Sequence, residues 1–119
     1  MNNVFDDNRN KIQSAREFAH AGHDAIGQVR KYTGEPYWVH TDEVSDIVAA
    51  SFYGVILPDW GYSVEQIVDI CAANMHDILE DVAPKIPNGY NYPAIEFLFG
   101  REEAPDVSHF FGLVGPGDE

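Results

Sequence analysis

His76-Asp77 followed by Glu80-Asp81, with His40 far upstream, gathers two imidazoles and three carboxylates, the donor types of a metal centre that cleaves phosphate esters. His76 and Asp77 are adjacent, and on a helix adjacent side chains diverge by about 100°. Both reach one ion only if it lies in the groove between them and another element supplies a further ligand. His40 is the candidate for that ligand. Glu80 falls one turn beyond His76 and Asp81 one turn beyond Asp77, so a second carboxylate pair borders the ion without having to bind it. Such a pair can orient or deprotonate a water, or protonate a leaving oxygen. A His-Asp dipeptide by itself is usually structural, and it is the upstream histidine and the trailing Glu-Asp that set this one apart. Asp69, on the same face, reads as a solvated or supporting carboxylate.

These residues need helices to hold them, and the apolar spacing supplies several. From about residue 10 to 24, Ile12, Ala15, Phe18, Ala19 and Ala25 follow three- and four-residue steps, an amphipathic helix whose His20 and His23 read as surface or supporting histidines. Residues 27–36 form a loop, with Thr33-Gly34-Glu35-Pro36 as its turn. A second helix is expected from Thr41, whose hydroxyl and the acids Asp42 and Glu43 suit a helix start, with Val44, Ile47, Val48 and Phe52 inward. Pro58, Trp60, Gly61 and Tyr62 interrupt the pattern. Ser63 then caps a central helix, with Gln66 in the capping-box position. Val64, Ile67, Val68, Cys71, Met75, Ile78, Leu79 and Val82 line one side of it, and Asp69, Ala73, His76 and Glu80 the other. Alanines on the polar side imply burial on both sides, and Ala72 and Ala73 would let another helix approach closely. Pro84 and Pro87 stop it. A short helix over residues 93–99 ends at Gly100, and 101–113 reads as one more helical segment, with 113–119 as a tail.

Composition narrows the classes. With 119 residues the chain, 1–119, makes one small domain with a single core. Hydrophobic residues at 45% and charged residues at 23% are ordinary for a globular protein. No apolar run is long enough to span a membrane, and the polar start Met1-Asn2-Asn3-Val4-Phe5-Asp6-Asp7 lacks the regions of a signal peptide, so a cytoplasmic protein is expected. Cys71, the only cysteine, reads as core packing. A net charge of −13 argues against binding a nucleic-acid polymer. An anionic small molecule would need a local exception, for which adjacent Arg30 and Lys31 and a bound cation are the candidates.

Phe18-Ala19, Gly27-Gln28-Val29-Arg30-Lys31, Gly34-Glu35-Pro36-Tyr37, His40 and His76-Asp77 with Glu80-Asp81 together resemble the HD-domain hydrolases of the RelA/SpoT type, including the small alarmone hydrolases. The likeness runs from about Ile12 to Gly100. It implies an all-α HD-domain bundle that binds one manganese ion and removes the 3′-pyrophosphate of guanosine tetra- or pentaphosphate, (p)ppGpp. Carried over residue by residue, it makes His40, His76 and Asp77 metal ligands and assigns Glu80 and Asp81 to the attacking water and the leaving oxygen. Arg30 and Lys31 would face the nucleotide, with Tyr37 packed under the site or touching substrate. Two departures stand out. The segment between His40 and His76 is longer than usual, with the extra length around residues 51–62. The family's last ligand is an aspartate on a later helix, and this chain ends before that helix would occur; Asp106, His109, Asp118 or a carboxylate of a neighbouring copy are the substitutes.

Three functions follow: the (p)ppGpp hydrolase, the same centre acting on another phosphorylated nucleotide, and a binding or interaction protein that has lost catalysis. A shortened helical core would also leave Phe97, Phe99, Phe110 and Phe111 to be covered, either within the monomer or in a homodimer.

Overall fold

The chain is all-α. The computed structural model describes residues 4–58, 61–86 and 88–99, with side chains from Lys11 onward. Helix α1 (Val4–Ala25) begins ahead of the expected start near Asn10. Ile12, Ala15 and Ala19 are buried along it. After Ala25 the chain turns at Gly27 (φ 64°), where a left-handed backbone favours glycine.

The following loop is pinned as a narrow two-stranded turn. Tyr37 N–H donates to the Gln28 carbonyl (3.1 Å), Arg30 N–H to Glu35 (2.8 Å) and Gly34 N–H to Arg30 (3.0 Å), with Val29 bridged to Pro36. Gly34 supplies the positive φ of 74° that closes it.

Helix α2 (Trp38–Tyr53) starts earlier than Thr41. Val39 N–H already reaches the Pro36 carbonyl (3.1 Å) and His40 N–H that of Tyr37 (2.9 Å), since a proline with fixed φ is prepared for a helix entry. Thr41 is therefore buried inside the first turn, and its hydroxyl donates to Trp38 O (3.0 Å) instead of capping. The inner stripe is His40, Thr41, Ser45 and Ala49, with Val44, Val48 and Phe52 partly buried. Ile47, expected inward, is 68% exposed because it falls roughly 200° around the helix from Ser45. Gly54 (φ 77°) ends the helix. Beyond it Tyr62 is buried, packs on Phe52 and Tyr53, and accepts from Leu57 N–H (2.7 Å).

Helix α3 (Val64–Met75) carries the expected capping box: Ser63 Oγ accepts from Gln66 N–H (3.2 Å) and Gln66 Oε1 from Ser63 N–H (2.9 Å). It packs against both α1 and α2. Every residue from Ile70 to Ile78 is buried, Cys71 among them, as a helix apolar on both sides requires. Val64, expected in the inner stripe, is instead exposed at the first turn. The buried Asn74 side chain ties α3 to α2 by donating to Ser45 Oγ (3.0 Å) and keeps its own turn by donating to Ile70 O (3.2 Å).

The central helix does not run unbroken to Val82. It leaves α geometry at His76 and Asp77 and resumes as a π-helical turn (Ile78–Val82), closed by Ala83 N–H to Ile78 O (2.9 Å). Such widened turns concentrate at functional sites. Gly22 of α1 permits close packing here: a Cβ at that position would lie 2.9 Å from Ile78 Cδ1. Helix α4 (Tyr92–Phe99) is capped by Asn91, whose Oδ1 accepts from Ala94 N–H (3.0 Å). It buries Ile95 and sets Phe99 edge-on to Phe18, while Phe97 is 88% exposed. Gly100, the segment expected to be helical over 101–113, the 113–119 tail, Asp106, His109, Asp118, Phe110 and Phe111 lie outside the described residues. None of the described helices is long and apolar enough to cross a membrane.

Candidate metal centre

Two elements converge to build the centre. The first turn of α2 supplies His40, and the break after α3 supplies His76 and Asp77. One ligand atom from each lies within 4.8 Å of the other two, and all three residues are buried. His76 Nε2 is 3.0 Å and His40 Nε2 3.8 Å from Asp77 Oδ2. With bonds of about 2.1 Å to one cation, neighbouring ligands would stand roughly 3 to 3.5 Å apart. The His76–Asp77 spacing falls in that range, and His40 stands slightly wider at 3.8 Å.

Hydrogen bonding decides which ring nitrogen is presented. His76 Nδ1 lies 2.7 Å from the Ala73 carbonyl, which can only accept, so Nδ1 carries a proton. In the neutral ring Nε2 is then a lone pair facing a carboxylate oxygen at 3.0 Å. Two acceptors at that distance, buried, require a positive species between them, either a proton or a metal ion. A cation also accounts for His40 on the same oxygen and for Asp77 Oδ1, which is buried with no hydrogen-bond partner among the described residues. The donor set fits a divalent ion with nitrogen and oxygen ligands.

Tyr37 closes the corner. It is buried, packs its ring between those of His23 and His40 (centroids 4.8 and 5.4 Å away), and donates its hydroxyl to Asp77 Oδ2 at 2.6 Å. Burial pushes the Asp77 carboxyl up, but the hydrogen bond and charge of His76, the Tyr37 hydroxyl and the charge of His40 outweigh it. The net result holds Asp77 below the usual aspartate range, ionised as a ligand must be.

The bordering carboxylates separate. Asp81 is half-buried and accepts from Gln28 Nε2 at 3.0 Å. Glu80 is exposed, and its carboxyl is raised by slight desolvation and then by the charges of Asp81 and Asp77. Asp69 is partly buried. Arg30 and Lys31 sit on the pinned turn, where Arg30 Nη1 lies 3.3 and 3.4 Å from the Glu43 carboxylate oxygens and exposed Lys31 rests its ammonium 5.4 Å from the Tyr32 ring centroid.

The two histidines of α1 have different fates. His20 is half-buried, stacks on Trp38 (4.2 Å) and meets both Asp42 oxygens (2.9 and 3.1 Å). His23 is fully buried beside the centre, its Nδ1 2.7 Å from Gln28 Oε1. Burial holds its imidazole below the usual histidine range; the Gln28 hydrogen bond and the charges of Asp77 and Asp81 offset this in part, and His76 adds to it. His23 continues the inward stripe Ile12, Ala15, Ala19 by one helical step, a signal of burial that its polar type obscured. Gln28 carried no such signal, because nothing in loop spacing says where an amide will point.

No known family model, characterised protein or solved structure matches the chain.

Proposed function

We propose that the protein is an HD-type, divalent-metal-dependent phosphohydrolase acting on a phosphorylated nucleotide, with the 3′-pyrophosphate of (p)ppGpp as its leading substrate and Mn²⁺ as its ion. The observation that carries this reading is the convergence of His40, His76 and Asp77, with the Glu80-Asp81 carboxylates one turn further on. His40, His76 and Asp77 would hold the cation, with no fourth protein ligand among the described residues. When bound, the cation would supply Lewis-acid polarisation of a phosphoryl oxygen and a more acidic water.

The chain's own residues do the rest. Asp81, which accepts from Gln28, would take a proton from the attacking water. The oxygen of that water bonds to the phosphorus next to the ribose, the bond to the 3′ oxygen breaks, and pyrophosphate departs. Glu80, with its raised carboxyl, suits delivery of the proton that the 3′ oxygen requires. Tyr37 keeps Asp77 ionised and oriented, and Arg30 with Lys31 would meet the substrate's phosphates and base.

The test is turnover of a panel of nucleotides with Mn²⁺. Pyrophosphate released from guanosine tetraphosphate, lost in Asp77→Ala, is the expected result. Release from a different nucleotide would retain the centre and change the substrate. No turnover with any would leave the binding-protein reading, which the pairing of Arg30 with Glu43 favours.

A further inference from the structure

Three residues outside the ligand set form a directed chain, and its direction follows from chemistry alone. Asp81 lies 3.0 Å from one end of the Gln28 side-chain amide, and an ionised carboxylate only accepts. That end must be the NH₂. The other end, 2.7 Å from His23 Nδ1, is therefore the carbonyl, which also only accepts. His23 must accordingly carry its proton on Nδ1. This amide cannot turn over without setting its carbonyl against the Asp81 carboxylate, two acceptors with no proton between them. His23 is fully buried, so the lock cannot drift into solvent.

The same residue is anchored through its backbone. Gln28 N–H donates to the His23 carbonyl (3.0 Å), and its own carbonyl accepts from Tyr37 N–H (3.1 Å). Tyr37 in turn donates to Asp77. Gln28 thus touches both halves of the centre: its backbone holds the residue that orients a ligand, and its side chain holds one oxygen of Asp81. No other hydrogen bond reaches Asp81's carboxylate among the described residues, so Oδ2 is occupied and Oδ1 remains for a water.

We infer that Gln28 is a positioning residue that aims the Asp81 carboxylate, its backbone anchored to His23 and Tyr37 and its amide oxygen taken up by the buried His23 ring. This rests on the hydrolase reading, in which Asp81 handles the attacking water. Loss of the Gln28 amide leaves the cation site intact and misaligns the carboxylate. A misplacement of about 1 Å can cost on the order of 100-fold in rate, so a loss of about 10- to 100-fold is expected.

The experiment uses the full chain loaded with Mn²⁺ and guanosine tetraphosphate as substrate. Gln28→Met, which preserves length and removes the donor, is expected to lower kcat by about 10- to 100-fold. KM should stay within about twofold, and the Mn²⁺ content should equal that of the wild type. An unchanged kcat, or a loss that tracks lost Mn²⁺, overturns the assignment. A second measurement covers a variant that fails to fold: ¹⁵N-detected NMR of the wild-type protein. It is expected to show His23 protonated at Nδ1 and slowed exchange of the Gln28 amide protons; an Nε2–H tautomer at His23 or a freely rotating amide overturns the proposal. A wild type that hydrolyses no nucleotide sinks the hydrolase reading, and the NMR result then decides by itself whether Gln28 holds Asp81.

Discussion

The ligand corner and the basic turn were both marked by residue type, yet they are built by opposite means. His40, His76 and Asp77 are buried, and rings, a backbone carbonyl and a tyrosine hydroxyl fix their orientations. Arg30 and Lys31 project from a hydrogen-bonded turn, one held by Glu43 and the other over Tyr32. Core packing leaves the corner one arrangement, whereas an ionic pair at the surface contributes little and rearranges cheaply. The corner therefore suits a fixed ion, and under the proposed function the turn would give an adaptable grip on substrate.

The sharpest way to break this contrast is at the corner. Asp77→Ala is expected to abolish Mn²⁺ binding and reduce turnover below detection, as read by metal analysis and pyrophosphate release. Asp81→Ala should retain the ion and lose about 10²- to 10⁴-fold in kcat, the range of a general base; loss of the ion instead would make Asp81 a ligand. Tyr37→Phe removes one hydrogen bond to a ligand and should weaken Mn²⁺ by about 10- to 100-fold in a binding titration. On the turn, Glu43→Ala removes the ion pair to Arg30 and should alter KM by only about two- to fivefold, since an exposed pair is worth at most about 1 kcal/mol. A change as large as that in Tyr37→Phe would erase the distinction between the two regions.

The smallest effect is one of pH on the metal-free protein. His23 in the fold sits below its ordinary value of 6.5, so the unfolded chain binds more protons there. Its contribution to stability is full above that value and is lost as pH falls through it toward the folded value. Asp77, also held low, loses its contribution only in stronger acid. The melting temperature should therefore drop between pH 7 and 5, and His23→Gln should flatten that drop; an unflattened slope would assign it to other groups.

Much of the architecture was legible because apolar period and caps agree. Ser63 with Gln66, and the doubly buried run through Cys71 and Met75, follow from pattern alone. The meeting of His40 with His76-Asp77 was legible as chemistry, by donor type. What escaped was local. The start of α2 was hidden because Thr41 and two acids imitate a helix start that Pro36 had already provided. The break at His76 was hidden because the apolar spacing through Ile78 and Val82 tolerates a π turn. His23 and Gln28 were hidden because a polar residue in a helical stripe or a loop shows its partner only after the chain has folded.

The central claim is tested most directly by titrating the metal-free protein with Mn²⁺ and following the free ion by electron paramagnetic resonance. One Mn²⁺ per chain, saturable and lost in His76→Ala, is the predicted result. No saturable uptake, or uptake that survives His76→Ala unchanged, would contradict the account.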